Sequence, residues 1–155
     1  FNPGTEAREF RHSPRREFNV RFDAEAARVV FRAPWPRVTC SPIDVSNHTR
    51  ATAERFDEIA RAGTPLARYL DRFGPRNRPM WDEVAAASWL DDSLVTQHAE
   101  LFLDVSLEPD ATYGDLLSWI PGTEPGRGEV RARVQQRLDD TRFYEAFVRG
   151  CSRPW

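Results

Sequence analysis

Apolar positions recur along the 155 residues with two alternating periods. Glu17-Phe18-Asn19-Val20-Arg21-Phe22 alternates polar and apolar, which predicts a short strand or extended segment. Asp23 is a good N-cap, and residues 24–32 favour helix, with Ala27, Val30 and Phe31 as the inner face. Pro34 and Pro36 stop that helix, after which residues 37–40 are β-prone and end at Ser41-Pro42. Thr49 or Thr52 opens the next helix, where Phe56, Ile59 and Ala60 recur at helical spacing until Gly63. Thr64-Pro65 starts another, with Leu66, Tyr69 and Leu70 inward and Gly74-Pro75 beyond its end. A third runs from the Pro79-Met80-Trp81-Asp82 stretch through Leu90. Residues 99–107 then alternate on Leu101, Leu103, Val105 and Leu107 as a strand, and residues 115–120 form a further strand. Residues 130–134 favour a strand, although residues 135–138 suit a helix equally well. Asp139-Asp140-Thr141 caps a last helix with Phe143, Phe147 and Val148 inward. Strands alternating with helices predict an α/β fold with a mainly parallel sheet. Residues 1–16, with Pro3, Gly4 and Pro14, read as a loop.

Composition narrows the classes of function. Apolar content of 40% with 30% charged residues, 5 Trp and 10 Phe is that of a folded domain. A net charge of −2 argues against a general nucleic-acid or membrane-surface role, which needs surplus cations on one face. All 22 basic residues are Arg, a bias to which we attach no function. Cys40 and Cys151 lack C-x-x-C spacing and signal neither zinc nor a redox pair, so two buried thiols are expected. No run reaches the roughly 18 apolar residues of a membrane span, and no charged-then-apolar secretion pattern opens the chain. A cytoplasmic location is the expectation.

Candidate chemistry is sparse from the residues alone. His12, His48 and His98 are scattered, and no G-x-G-x-x-G or Walker pattern occurs. Asp91-Asp92 and Asp139-Asp140 read as solvated caps rather than metal ligands. Asp82 stands at the mouth of a helix, where a carboxylate can cap free N–H groups or face a cation, and the local sequence leaves both uses open. Glu17 and Asn19 fall on one face of the extended segment, either side of Phe18. A carboxylate and an amide so held can grip vicinal hydroxyls, and a solvated strand face is the alternative.

Glu17-Phe18-Asn19, followed by Asp23-Ala24-Glu25-Ala26-Ala27, resembles the "EFN…DPEAA" segment of the inosine-uridine-preferring nucleoside hydrolase family. Ser41-Pro42-Ile43-Asp44-Val45-Ser46 is similar to its "PLDVT" stretch, and Tyr113-Gly114 to its late "YG" or "RG" turn. Met80-Trp81-Asp82 falls where the family has its C-terminal "HD" or "WD" pair. The resemblance implies hydrolysis of the N-glycosidic bond of a ribonucleoside, with a bound Ca²⁺, in an open α/β fold. By position, Asp82 would ligate Ca²⁺. Glu17, Phe18 and Asn19 would bind substrate, with Glu17 and Asn19 on ribose hydroxyls, and Asn2 would match a further ribose-contacting Asn. Trp81 stands where many relatives have His. Indole cannot act as a general acid at neutral pH, so the resemblance is to the purine-preferring branch, with Trp81 stacking on the base.

The family's "DxDxGxDD" cluster, which would supply the other Ca²⁺ carboxylates and the catalytic base, has no counterpart in this sequence. Residues 1–155 are therefore expected to be the C-terminal part of a nucleoside hydrolase domain, carrying part of a composite site. The alternative is a ribosyl-binding remnant without turnover. The expected partners are a nucleoside substrate and further copies of the chain, with no nucleic acid and no membrane.

Overall fold

A computed structural model describes residues 17–154. The chain divides into two compact units, one containing residues 17–40 and His98–Gln135, the other Ser41–Gln97 and residues 136–154. Among the described residues no helix is long and apolar enough to cross a membrane.

The first unit begins with a correction. Residues 17–22 are not extended: Phe18–Phe22 is a helical turn, α1. Glu17 is its N-cap, and the Oε2 atom accepts from Asn19 N–H at 2.8 Å and Val20 N–H at 3.2 Å. Six alternating residues fit a single helical turn as well as a strand, and the capping carboxylate decides for the turn by satisfying two free N–H groups. Phe18 and Phe22 then meet across one turn, with ring centroids 4.9 Å apart. Asp23 caps α2 (Ala24–Arg32) as expected, through Ala26 N–H at 2.9 Å. The inward stripe of α2 is Ala24, Ala27 and Phe31, which pack with Val20, Val105, Leu107 and Leu116. Val30 points outward, 57% exposed, because it falls about 100° away from Phe31 around the helix.

Strands β1 (Val38–Cys40), β2 (Val95–Val105), β3 (Leu116–Trp119) and β4 (Val130–Leu138) form one sheet in the order β1-β4-β2-β3. The α/β class stands. The sheet is mixed, with β1 and β4 parallel and β2 and β3 antiparallel. Only a short turn and loop separate β2 from β3, too little chain for the crossover that a parallel pair requires. The segment 135–138, ambiguous in sequence, continues β4 as strand. Leu103 and Val105 are buried as expected, and so are Asp104 and Ser106, because both faces of this end of β2 are covered.

In the second unit, α3 (Ile43–Ser46), α4 (Ala53–Ala60), α5 (Pro65–Phe73), α6 (Trp81–Leu90) and α7 (Asp140–Ser152) surround a core of Ala51, Phe56, Met80, Val84 and Phe143. The punctuation read in the sequence holds. Gly63, at φ 61°, ends α4 in the left-handed region that glycine adopts without strain. Thr64 Oγ1 accepts from Ala67 N–H at 3.1 Å with Pro65 at the first helical position of α5. Tyr69 is 61% exposed rather than inward, and its ring lies against Phe73, while Ala67 is buried and Leu70 packs on the core.

The acidic pairs act as caps. Asp139 Oδ1 accepts from Arg142 N–H at 3.1 Å, opening α7. Asp91 Oδ1 accepts from Ser93 N–H at 3.0 Å, and Asp91 Oδ2 from Arg142 Nη2 at 3.2 Å. The hydrogen bonds from Ser93, with the nearby Arg142 charge, hold the Asp91 carboxyl below its ordinary value. A group lowered on folding contributes stability that is present above its unfolded pKa and lost as pH falls through the folded one. The denaturation midpoint should therefore drop on acidification below the ordinary Asp value of 3.8, and Asp91→Asn should flatten part of that limb. An acid limb of unchanged shape in Asp91→Asn would count against this linkage.

Candidate functional site

Within the second unit, two stretches far apart in sequence are tied together by backbone. Met80 N–H donates to Thr49 C=O at 3.1 Å, Ala51 N–H to Arg78 C=O at 3.0 Å, and Asn77 N–H to Ala51 C=O at 2.7 Å. Arg50 and Pro79 form an isolated antiparallel bridge at the centre of this ladder. The Tyr144 hydroxyl of α7 locks it, accepting from Arg50 N–H at 2.7 Å and donating to Arg50 C=O at 3.0 Å. Thr49 and Met80 are fully buried. The chain therefore enters α6 from a rigid platform, with Trp81 and Asp82 as its first two residues.

Trp81 is 42% exposed, so one part of the indole is packed and another faces solvent. Its Nε1–H donates to Asn47 Oδ1 at 3.1 Å. Asp82 is exposed and has no hydrogen-bond or ion-pair partner among the described residues. It does not cap the helix: the N-cap is Met80, with no side-chain cap bond, and Asp82 stands inside the first turn. Its carboxylate still lies in the favourable field of the helix N-terminus.

Glu17, Phe18 and Asn19 are together in the first unit at the start of α1, with Phe18 and Asn19 exposed and Glu17 half-buried. The Asn19 side chain has no partner among the described residues. Capping engages Glu17 Oε2 and leaves Oε1 as an acceptor. The Tyr113-Gly114 turn packs here too. Tyr113 Oη–H donates to Glu25 Oε2 at 2.6 Å, a bond that raises the Tyr113 pKa. Gly114, at φ 79°, lies against Arg21 and Ala24, where a Cβ would sit at 3.7 and 3.8 Å from them. Asn2 lies outside the described residues, as does His12.

Neither remaining His forms a catalytic arrangement among the described residues: His48 is exposed, and His98 Nδ1 meets only Arg133 Nη2 at 3.1 Å. The thiols are half-buried and free. Burial pushes Cys40 up to about 11, and burial followed by the charge of Glu83 raises Cys151, so neither is an activated nucleophile.

The donor set does not by itself fit a calcium ion. Among the described residues no three His, Cys, Asp or Glu side chains come together to hold a metal, and Ca²⁺ takes about 6–8 oxygen ligands. Asp82 offers one carboxylate.

The second unit thus presents Trp81 and Asp82 at the start of α6, and the first unit separately presents Glu17 and Asn19 at α1. The profile of the inosine-uridine preferring nucleoside hydrolase family matches residues 7–145, and the chain belongs to that family. It is 29% identical over 156 aligned positions to the pyrimidine-specific ribonucleoside hydrolase RihB of Escherichia coli, covering 91% of this chain and 47% of that protein. Its fold is similar to that of a purine-preferring ribonucleoside hydrolase from Gardnerella vaginalis, with a TM-score of 0.71 and 22% identity over 88% of this chain and 46% of that one. A plant nucleoside hydrolase, PpNRh1, matches with a TM-score of 0.71 and 16% identity, covering 89% of this chain and 48% of its own. The chain thus spans about half the length of these relatives.

Asn47, the hydrogen-bond partner of Trp81, was not singled out in the sequence. It lies 34 positions before Trp81, and no spacing rule links the two. The ladder between residues 49–51 and 77–80 brings the two stretches together.

Proposed function

We propose that this chain contributes part of the active site of a nucleoside hydrolase that converts a ribonucleoside and water into free base and ribose, leaning towards purines. In that reaction water oxygen bonds to C1′ as the C1′–N bond breaks, the bonding pair leaves with the base, and the proton the water loses is balanced by one the base nitrogen takes up from solvent. The observation that carries the reading is Trp81, half-exposed on a fixed platform beside Asp82, which has no partner among the described residues. Indole cannot protonate the leaving base, so its contribution is its face: a purine stacked on Trp81 gains dispersion and quadrupole attraction.

Glu17 Oε1 accepts and the Asn19 amide donates to ribose hydroxyls, with Phe18 beside them in the substrate-binding set. Contacts of this kind accelerate the reaction to the extent that they tighten as the sugar flattens towards an oxocarbenium ion. Asp82 is proposed as one oxygen ligand of a Ca²⁺ ion, which needs further oxygen ligands. A ribosyl-binding protein without turnover is the alternative reading.

The test is base release from inosine, guanosine and uridine by the full-length protein. Inosine and guanosine should exceed uridine in kcat/KM, and Trp81→Ala should lower the inosine value about tenfold, as loss of a stacking contact of about 1.5 kcal/mol predicts. Zero release from all three would sink the enzyme reading. Uridine preferred over inosine would sink only the purine leaning.

A further inference from the structure

We infer that Asn47 is a positioning residue for Trp81: it fixes the plane of the indole ring and thereby governs how well a purine base stacks on it. The inference rests on the base-stacking role of Trp81 proposed above and adds the group that holds the ring in place. Indole nitrogen can only donate, so the atom of Asn47 turned towards it must be the amide oxygen, as the 3.1 Å contact has it. The bond matters because packing alone leaves the ring under-constrained. With 42% of Trp81 exposed, part of the indole meets no protein atoms, and a hydrogen bond at its edge removes the freedom that packing leaves.

Both ends of this strut are anchored in the same backbone. Asn47 closes α3, its N–H donating to Ile43 C=O at 2.9 Å. Two residues on, Thr49 is fully buried, with its Oγ1–H donating to Ser46 C=O at 2.7 Å. Its own carbonyl accepts from Met80 N–H at 3.1 Å, one residue before Trp81. The contact is therefore a short side-chain brace across a fixed backbone gap.

The brace lies at the surface, so its removal should cost little global stability and act mainly on the ring. Purine and pyrimidine nucleosides should then respond unequally. A two-ring base overlaps more of the indole than a one-ring base, and a tilted or mobile ring forfeits more of that overlap.

The experiment uses the full-length protein with ¹⁵N-labelled indole nitrogens. The Trp81 resonance is assigned by its loss in Trp81→Phe. Asn47→Ala should shift that resonance away from its hydrogen-bonded position, while Asn47→Asp, which keeps an acceptor oxygen, should hold it near the wild-type value. In parallel, kcat/KM for inosine should fall about three- to tenfold in Asn47→Ala, with uridine changing less than about twofold, and Asn47→Asp should recover most of the inosine loss. An unshifted resonance in Asn47→Ala overturns the inference, and so do equal losses for inosine and uridine, which are the mark of a purely structural role. Failure of the wild-type protein to release any base would instead overturn the hydrolase reading. The two failures are distinguishable because the resonance measurement needs no turnover.

Discussion

Phe143→Ala should lower the unfolding free energy by about 3–5 kcal/mol, the range for truncating a fully buried aromatic. Phe143 on α7 is completely buried and shares its cluster with Ala51, Phe56, Met80 and Val84, with Phe147 stacked at 6.5 Å between centroids and Tyr144 at 5.4 Å. Those neighbours come from the 49–51 segment, α4, the entry to α6 and α7 itself, so no single element can collapse into the void. The cost should sit in the upper part of the range for that reason. Phe143→Leu, which retains most of the volume, should cost less than about 2 kcal/mol. Phe73→Ala on the exposed side of α5 should stay within about 1 kcal/mol. Denaturant unfolding of the three variants at unchanged m-value checks the ordering, and a Phe143→Ala cost below about 1.5 kcal/mol would remove this residue from the centre of the core.

The same cluster links stability to the site, since Met80 is both a core residue and the N-cap of α6. Trp81 and Asp82 follow it directly. Loosening the core around Phe143 should therefore reach the start of α6 before it reaches the exposed helix ends.

Much of this was legible in the chain because punctuation is local. Asp23, Thr64, Asp139 and Gly63 each act within three or four residues of themselves, and each stands where the sequence places it. The family resemblance carried by Glu17-Phe18-Asn19 and Met80-Trp81-Asp82 is matched by the profile over residues 7–145. What sequence could not supply depends on partners distant along the chain. Val30 and Tyr69 share the apolar character of Phe31 and Leu70, and which of them turns inward is decided by what each helix packs on. The Glu17–Phe22 alternation was misread because six residues span too little chain to separate a period of 2 from a period of 3.6. Asn47 could not be found, because its contact with Trp81 is created by tertiary structure. Asp104 was hidden for the opposite reason. Strict alternation on β2 turns it away from Leu103 and Val105, and alternation cannot tell that α2 supplies two guanidinium groups on that side.

That buried carboxylate carries the second large effect. Asp104 is 5% exposed and receives Arg32 in a two-pronged grip, Nε to Oδ1 at 3.1 Å and Nη2 to Oδ2 at 2.6 Å, with Arg28 Nε at 3.6 Å from Oδ1. The hydrogen bond to Asp104 is the main cause raising the Arg32 pKa, so Arg32 remains charged throughout the accessible pH range. Arg32→Ala should destabilise by about 2–3 kcal/mol, the scale for a charge-assisted pair whose surviving member stays buried. The fully buried limit is discounted here because the Arg32 side chain keeps 30% exposure and Arg28 still offers partial compensation. Arg32→Lys should recover less than half, because an ammonium cannot reproduce the planar grip on both oxygens. A double-mutant cycle with Asp104→Ala isolates the pair, and a coupling energy below about 0.5 kcal/mol would show that the grip contributes nothing specific. If the coupling is as large as expected, Arg32→Ala should also weaken the ribose binding proposed for Glu17 and Asn19. The pair fastens α2 to β2, and α1, with Glu17 as its N-cap and Asn19 in its turn, is joined to α2 through Asp23 and packs on it through Val20.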